Sequence, residues 1–295
     1  MRWLIILSLV LSACGTEKED ARRTKNDLSA VVEKSDFYLS KISTVQGADG
    51  FLKFGGDSLG FTALAWGAGM IVDIEKARDT TGLWHRTTTH DCYPLGTCGS
   101  EQSKDHIIML EIGSWLRGRL DIIKQVYNYG HSRSWVYGLG PIDRTYLVPP
   151  FQNTLKLLLG KRTQPPDFLI DTHEGYQRHF VALDIVLRAE VQGFIRADRL
   201  KILKDFRASS PHNALFQYGY HRFTDGNQAQ TIDILLNTRW FPLDRLPTSA
   251  DRCSRWLWER DESGVDWRPC PKDDVIHSGA DLSFIVALLK RSYNE

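Results

Sequence analysis

The stretch DSLGFTALAWGAGMIVDI, Asp57 to Ile74, is apolar almost without interruption and rich in alanine and glycine. Asp57 and Ser58 at its head are residue types that open helices, because their side-chain oxygens can accept the first free backbone N–H groups. A helix with no polar face must be buried among other helices, which implies a second layer of chain around it. Ser103-Lys104-Asp105 opens another such run, His106 to about Tyr127. These two stretches set the expectation of a mainly α protein with an inner and an outer layer.

The flanking sequence agrees. Leu28, Val31, Val32, Phe37, Leu39 and Ile42 recur at helical spacing and predict an amphipathic helix before Asp57. Val148-Pro149-Pro150 starts a shorter helix that Gly160 ends. Asp171-Thr172-His173-Glu174 opens one running to about Phe194, and further helices are expected over Asp198 to Phe206, Asn213 to His221 and Asn227 to Leu236. Ser278-Gly279-Ala280-Asp281 opens the last, which ends near Tyr293. The segments 79–102, 128–145 and most of 240–274 read as loop. With no low-complexity tract or long linker between residues 28 and 292, the chain reads as one helical domain over 28–295.

Several helix starts share a form, in which an irregular polar segment delivers an acidic residue and an apolar helix follows: Gly56-Asp57, Lys104-Asp105-His106, Asp171-Thr172-His173 and His277-Ser278-Gly279-Ala280-Asp281. That pattern places several buried helices with their starts on one face. Such a two-layer helical array resembles the α/α toroid, complete or partial, of several glycoside hydrolases and polysaccharide lyases. The likeness is one of architecture, and architecture alone does not give function.

The first residues carry a different signal. One basic residue, Arg2, precedes an apolar run from Trp3 to Leu11 that is too short to span a bilayer as a helix, which takes about 20 residues. It ends in Leu11-Ser12-Ala13-Cys14, which resembles the lipobox of bacterial lipoproteins. The resemblance implies a signal peptide over 1–13, a lipidated Cys14, and a polar tether over 14–27. Lipoprotein chemistry puts two or three acyl chains on that cysteine, enough for durable anchoring where one is marginal. Gly15, rather than aspartate, follows the cysteine, so the outer membrane is favoured over the inner for this cell-envelope protein.

Composition narrows the partners. Lys and Arg number 37 against 36 Asp and Glu, a formal net charge of +1, which excludes a strong field for recruiting nucleic acid. No phosphate-binding loop, dinucleotide fingerprint or Gly-x-Ser-x-Gly elbow occurs, so no nucleotide or other cofactor is expected. Cys92, Cys98, Cys253 and Cys270 remain beside Cys14. An even set in an oxidising compartment predicts two disulfides, with the local pairs Cys92–Cys98 and Cys253–Cys270 preferred among three connectivities. A zinc site is the competing reading, but close Cys-x-x-Cys pairs are absent.

If the helix starts converge, Asp57, Asp105, His106, His173, His277 and Asp281 meet on one face, beside the loop residues Trp84, His85, His90 and Asp91. Glycoside hydrolysis needs two carboxyl groups across the scissile bond, and Asp57 and Asp105 are the candidates, with His85 and His106 tuning them. The competing role for each Asp is simple capping. Trp84 and Trp135 offer apolar ring faces for a sugar, with His173, His277 and Asp281 as further substrate contacts; packing is the alternative for both rings. His85 and His90 are five apart, which is not the helical zinc spacing, and no metal is expected. His173, Tyr176 and His179, spaced by three, could instead serve a lyase, with Arg133 or Asn213 neutralising a uronate. The functional expectation is therefore hydrolysis of an envelope or extracellular polysaccharide, against a non-catalytic lipoprotein that binds glycan or an envelope partner, with the lyase third.

Overall fold

The computed structural model describes residues 27–53, 57–89, 102–138, 145–163, 177–248 and 276–294. The described chain is mainly helical. In order it forms α1 over 27–41, α2 Ser58–Ala68, α3 Lys104–Leu116, α4 Leu120–Ser132, α5 Pro149–Leu158, α6 Gln177–Gln192, α7 Ala197–Ser209, α8 Ala214–Arg222, α9 Ala229–Leu236 and α10 Ala280–Asn294. Two 3-10 turns, Ile42–Val45 and Ile74–Ala77, follow α1 and α2.

Burial divides the helices into two kinds. In α2 every residue from Ser58 to Trp66 is buried, in α3 from His106 to Ser114, and in α6 from His179 to Ala189. In α7, by contrast, only Arg199, Leu203 and Phe206 are buried, a single stripe. The fully buried helices neighbour one another in a cycle: α2 packs on α3 and α10, α3 on α6, α6 on α8, and α8 on α10.

These central helices point the same way. Asp57 at the start of α2 meets His106 near the start of α3, while Arg117 after α3 donates to the Trp66 and Met70 carbonyls at the end of α2. Toward the far ends, Tyr218 of α8 donates to Glu190 of α6 at 2.6 Å and approaches the Leu288 carbonyl of α10, and Arg291 of α10 stacks over Trp115 of α3. Outer helices run back: Ser209 at the end of α7 bonds Arg178 at the start of α6.

Parallel α2 and α3 approach closely because small residues line their seam. A Cβ on Gly113 would overlap the Ala63 carbonyl oxygen, and one on Gly67 would lie 2.8 Å from Gly113 Cα. Here glycine is required by contact, not by backbone conformation.

Two helix boundaries differ from the sequence reading. The run from Asp57 stops at Gly69, whose φ of +136° ends the helix six residues early. The run from His106 to Tyr127 is two helices, because Gly118 at φ +69° turns the chain between α3 and α4. The expected loop over 128–145 instead continues α4 to Ser132 and then makes a short antiparallel pair, β1 Val136–Tyr137 with β2 Thr145–Tyr146, in the register Val136 to Tyr146. The start expected at Asp171-Thr172-His173-Glu174 lies outside the described residues; among the others, Asn213 caps α8 through its side chain to the Leu215 and Phe216 N–H groups.

Candidate active site

At the end where the central helices begin, α2, α3, α6 and the segment before Thr89 bring charged groups together. Asp57 occupies the N-cap position of α2, yet its side chain makes no cap bond. The Leu59 N–H is instead accepted by the Arg86 carbonyl at 2.8 Å, so the returning chain supplies the cap and the Asp57 carboxylate is turned elsewhere. Its Oδ1 lies 3.4 Å from His106 Nε2 and 3.7 Å from Arg86 Nη1. Simple capping is thus not what Asp57 does.

His106 can lie against α2 because of Gly60, where a Cβ would stand 2.9 Å from the imidazole Cδ2. Next to it, Asp105 accepts a hydrogen bond from the Ser103 hydroxyl at the head of α3. Burial opposes its charge, but His106, the Ser103 hydroxyl, His179 of α6 and Arg86 together hold the Asp105 carboxyl below the usual carboxylate range. Asp57 and Asp105 are therefore joined through shared neighbours, His106 and Arg86. Gln102 ties the surroundings together: its amide donates to the Trp84 carbonyl at 2.9 Å, and its own carbonyl accepts from the Thr145 hydroxyl of β2.

The other expected site residues are placed as follows. His85 is buried and bonded through Nε2 to Asp79 Oδ2 at 2.9 Å, closing the 79–85 turn; its neighbour Arg86 is the residue that reaches Asp57. Trp84 is buried at 2% exposure within the core, so its ring packs against protein and presents no face for a sugar. Trp135 is half-buried after α4 between Tyr127 and His131, with Lys156 over its ring. His277 and Asp281 are both buried at the start of α10, the end shared with Asp57, and the Ser278 hydroxyl there accepts from Ala280 N–H. Arg133 lies over the Tyr129 ring and Asn213 serves as a cap. His173, Tyr176, His90, Asp91, Cys14 and the four cysteines 92, 98, 253 and 270 lie outside the described residues.

Sequence reading missed four participants. Arg86 lay inside the marked loop, and a guanidinium two residues from Trp84 could have been matched to the acids. His179 was noted only for its spacing, and Ser103 only as a helix start. Glu111 is the fourth, a lone charge within the apolar run IIMLEIGSWL. It is buried at 1% exposure in mid-α3, and neither carboxyl oxygen has a hydrogen-bond partner among the described residues. Burial, reinforced by the neighbouring Asp184 of α6, pushes its carboxyl well above the usual range. Asp184 itself is fully buried and accepts from Thr154, with Arg199 Nη1 at 3.4 Å. Among the described residues no cluster of three or more His, Cys, Asp or Glu could hold a metal ion. No family model, no curated protein and no solved structure matches this chain.

Proposed function

We propose that the protein is a lipid-anchored enzyme of the bacterial cell envelope that hydrolyses a polysaccharide at the end of the molecule where α2 and α3 begin. One observation carries this reading: Asp57, standing at a cap position, leaves capping to the Arg86 carbonyl and faces the His106 and Arg86 side chains that also neighbour Asp105. Two carboxyl groups drawn to one spot match what glycosidic cleavage requires. Asp105, held ionised, suits the base or nucleophile. The Asp57–His106 pair is the candidate for the proton donor, with the imidazole Nε2 3.4 Å from the carboxylate. The common direction of α2, α3, α6, α8 and α10, with other helices running back outside them, supports reading the array as a partial α/α toroid.

The lipobox-like Leu11-Ser12-Ala13-Cys14 supports the tether and anchor and, with them, a substrate in or near the envelope. The test is release of new reducing ends from envelope polysaccharides by the full chain. Asp57→Asn and Asp105→Asn, each folded by circular dichroism, should lower turnover by at least about 10²-fold, the scale of a lost general acid or base. Unchanged turnover in either variant overturns the assignment. The second reading, a non-catalytic glycan-binding lipoprotein, draws on Arg86: a guanidinium 3.7 Å from Asp57 favours keeping that carboxylate charged, as binding allows and acid catalysis does not. Glycan retention without any turnover would select it.

A further inference from the structure

We propose that the seam between α4 and α5 binds an acidic glycan, one whose sugars carry carboxylate, sulfate or phosphate groups, and leads it toward Asp105. The proposal rests on the polysaccharide reading above and gives that substrate a charge. Over the whole chain cations and acids balance, 37 against 36, but residues 122–163 hold six Lys or Arg and a single acid, Asp143, which lies outside the described residues. Lys156 of α5 stands over the Trp135 ring, 5.7 Å from its centre, and Lys161, just past α5, stands over Tyr127 of α4 at 4.8 Å. Lys124 shares a face of α4 with Tyr127 and His131 by its spacing. None of these three lysines pairs with an acid among the described residues. Cations near a helix end often serve that helix's own dipole, but Lys156 and Lys161 reach across the seam to the rings of α4 and the turn after it.

The rings are placed for stacking. His131 is exposed and lies nearly flat on Tyr127, with centres 5.5 Å and planes 17° apart, and Trp135 stands edge-on to both. To bring the indole there, the chain holds Ser134 at φ +54° and Trp135 at φ +66°, and the Trp135 N–H turns back to the Gly130 carbonyl at 2.7 Å. Bulky residues rarely adopt that conformation, and such strain clusters at ligand sites. A sugar ring can lay its C–H face on the imidazole or the indole while the lysines meet its acidic substituents. The strip also connects to the proposed active site. The Trp135 carbonyl accepts from the Leu147 N–H at 2.9 Å, β1 pairs with β2, and the Thr145 hydroxyl of β2 bonds the Gln102 carbonyl, three residues before Asp105. From Lys161 past Lys156 to Trp135 the seam therefore runs toward the head of α3. A net charge of +1 offers nucleic acid no long-range field. The large apolar side chains that stand exposed include none between Lys124 and Trp135 or between Lys156 and Lys161, so the seam has nothing to insert into lipid.

The test measures retention of the full chain by polygalacturonate, dextran sulfate and dextran phosphate in affinity electrophoresis, beside methyl-esterified polygalacturonate and plain dextran. At least one acidic polymer should hold the chain more tightly than its neutral parent does. Lys156→Gln combined with Lys161→Gln, folded by circular dichroism, should weaken that retention about tenfold at low salt, and the difference should shrink in high salt. His131→Ala should weaken it a few-fold through lost stacking. Lys201→Gln combined with Lys204→Gln on α7 removes the same charge elsewhere and should leave retention unchanged. No retention by any acidic polymer, equal retention by the neutral parents, or an equal loss in the α7 variant overturns the proposal. So does a loss in the Lys156 and Lys161 variant that is seen only on phosphatidylglycerol vesicles or single-stranded DNA. New reducing ends are counted in the same samples. Retention that depends on Lys156 and Lys161 without any turnover would sink the hydrolase reading and keep this site, whereas turnover and retention of neutral polymers alone would sink this site and keep the hydrolase.

Discussion

Asp105 and Glu111 stand on the same helix, less than two turns apart, and their surroundings drive them in opposite directions. Asp105 has the Ser103 hydroxyl, His106, His179 and Arg86 about it, and these outweigh burial to keep its carboxyl charged. Glu111 has a buried setting, a second acid in Asp184, and no hydrogen-bond partner among the described residues, so its carboxyl is pushed well above the usual range. The lesson is that burial does not decide the charge of an acid; the donors supplied with it do. One region gathers donors and cations about its acid, whereas the other is a constraint inside the layer between α3 and α6.

The strongest way to break the contrast is to part α3 from α2, since both acids are positioned by that packing. Gly113→Val would force a side chain into the Ala63 carbonyl, and a loss of about 3 kcal/mol or more is expected in urea unfolding, or failure to fold. Next in size is Asp105→Asn, which should cost about 1–3 kcal/mol at pH 7. Because the folded pKa of Asp105 lies below its unfolded value near 3.9, its contribution is present above about pH 4. That contribution is lost as pH falls through the folded value, so variant and parent should converge in acid.

Glu111→Gln should act with the opposite sign. A carboxyl whose folded pKa is raised costs stability as pH climbs above its unfolded value, since the unfolded chain then sheds its proton more readily. The variant should therefore be more stable than the parent by about 1–3 kcal/mol at pH 7, the scale of a buried polar group without partners. That gain should vanish below about pH 4.5, near the unfolded value, and a Glu111→Gln protein less stable than the parent at pH 7 would refute the upward shift. The smallest effect is expected from Ser103→Ala, which removes one donor from Asp105. About 1 kcal/mol should be lost at pH 7, and less of the acid dependence should remain.

Most of the helices were legible because burial leaves a pattern: all-round apolarity in α2 and α3, a stripe in α1 and α9. The breaks at Gly69 and Gly118 were less so, since glycine inside an apolar run reads equally as a packing residue. Both roles occur here, Gly113 in the seam and Gly118 in the turn, and only the tertiary neighbours tell them apart. At the site, the convergence of Asp57, Asp105 and His106 followed from the shared form of the helix starts. Arg86 was legible only in part: its guanidinium could have been matched to the acids, but the capping of α2 by its backbone carbonyl could not, since any residue type can offer one. Trp84 misled for a related reason: an aromatic in an irregular segment reads as a rim residue, but this segment folds inward.

The glycine seam has a dynamic consequence. Where helices touch through side chains, rotamer changes let them slide; where Gly67 meets Gly113 and Gly113 meets the Ala63 carbonyl, no side chain intervenes to yield. Relative motion of α2 and α3 is then damped at its source, and Asp57 and His106 ride on two backbones that move as one body. A ligand entering between them would meet groups already in position and would lose little in ordering them. Relaxation measurements on the backbone amides of 58–66 and 106–114 should accordingly show the same high order before and after a ligand binds.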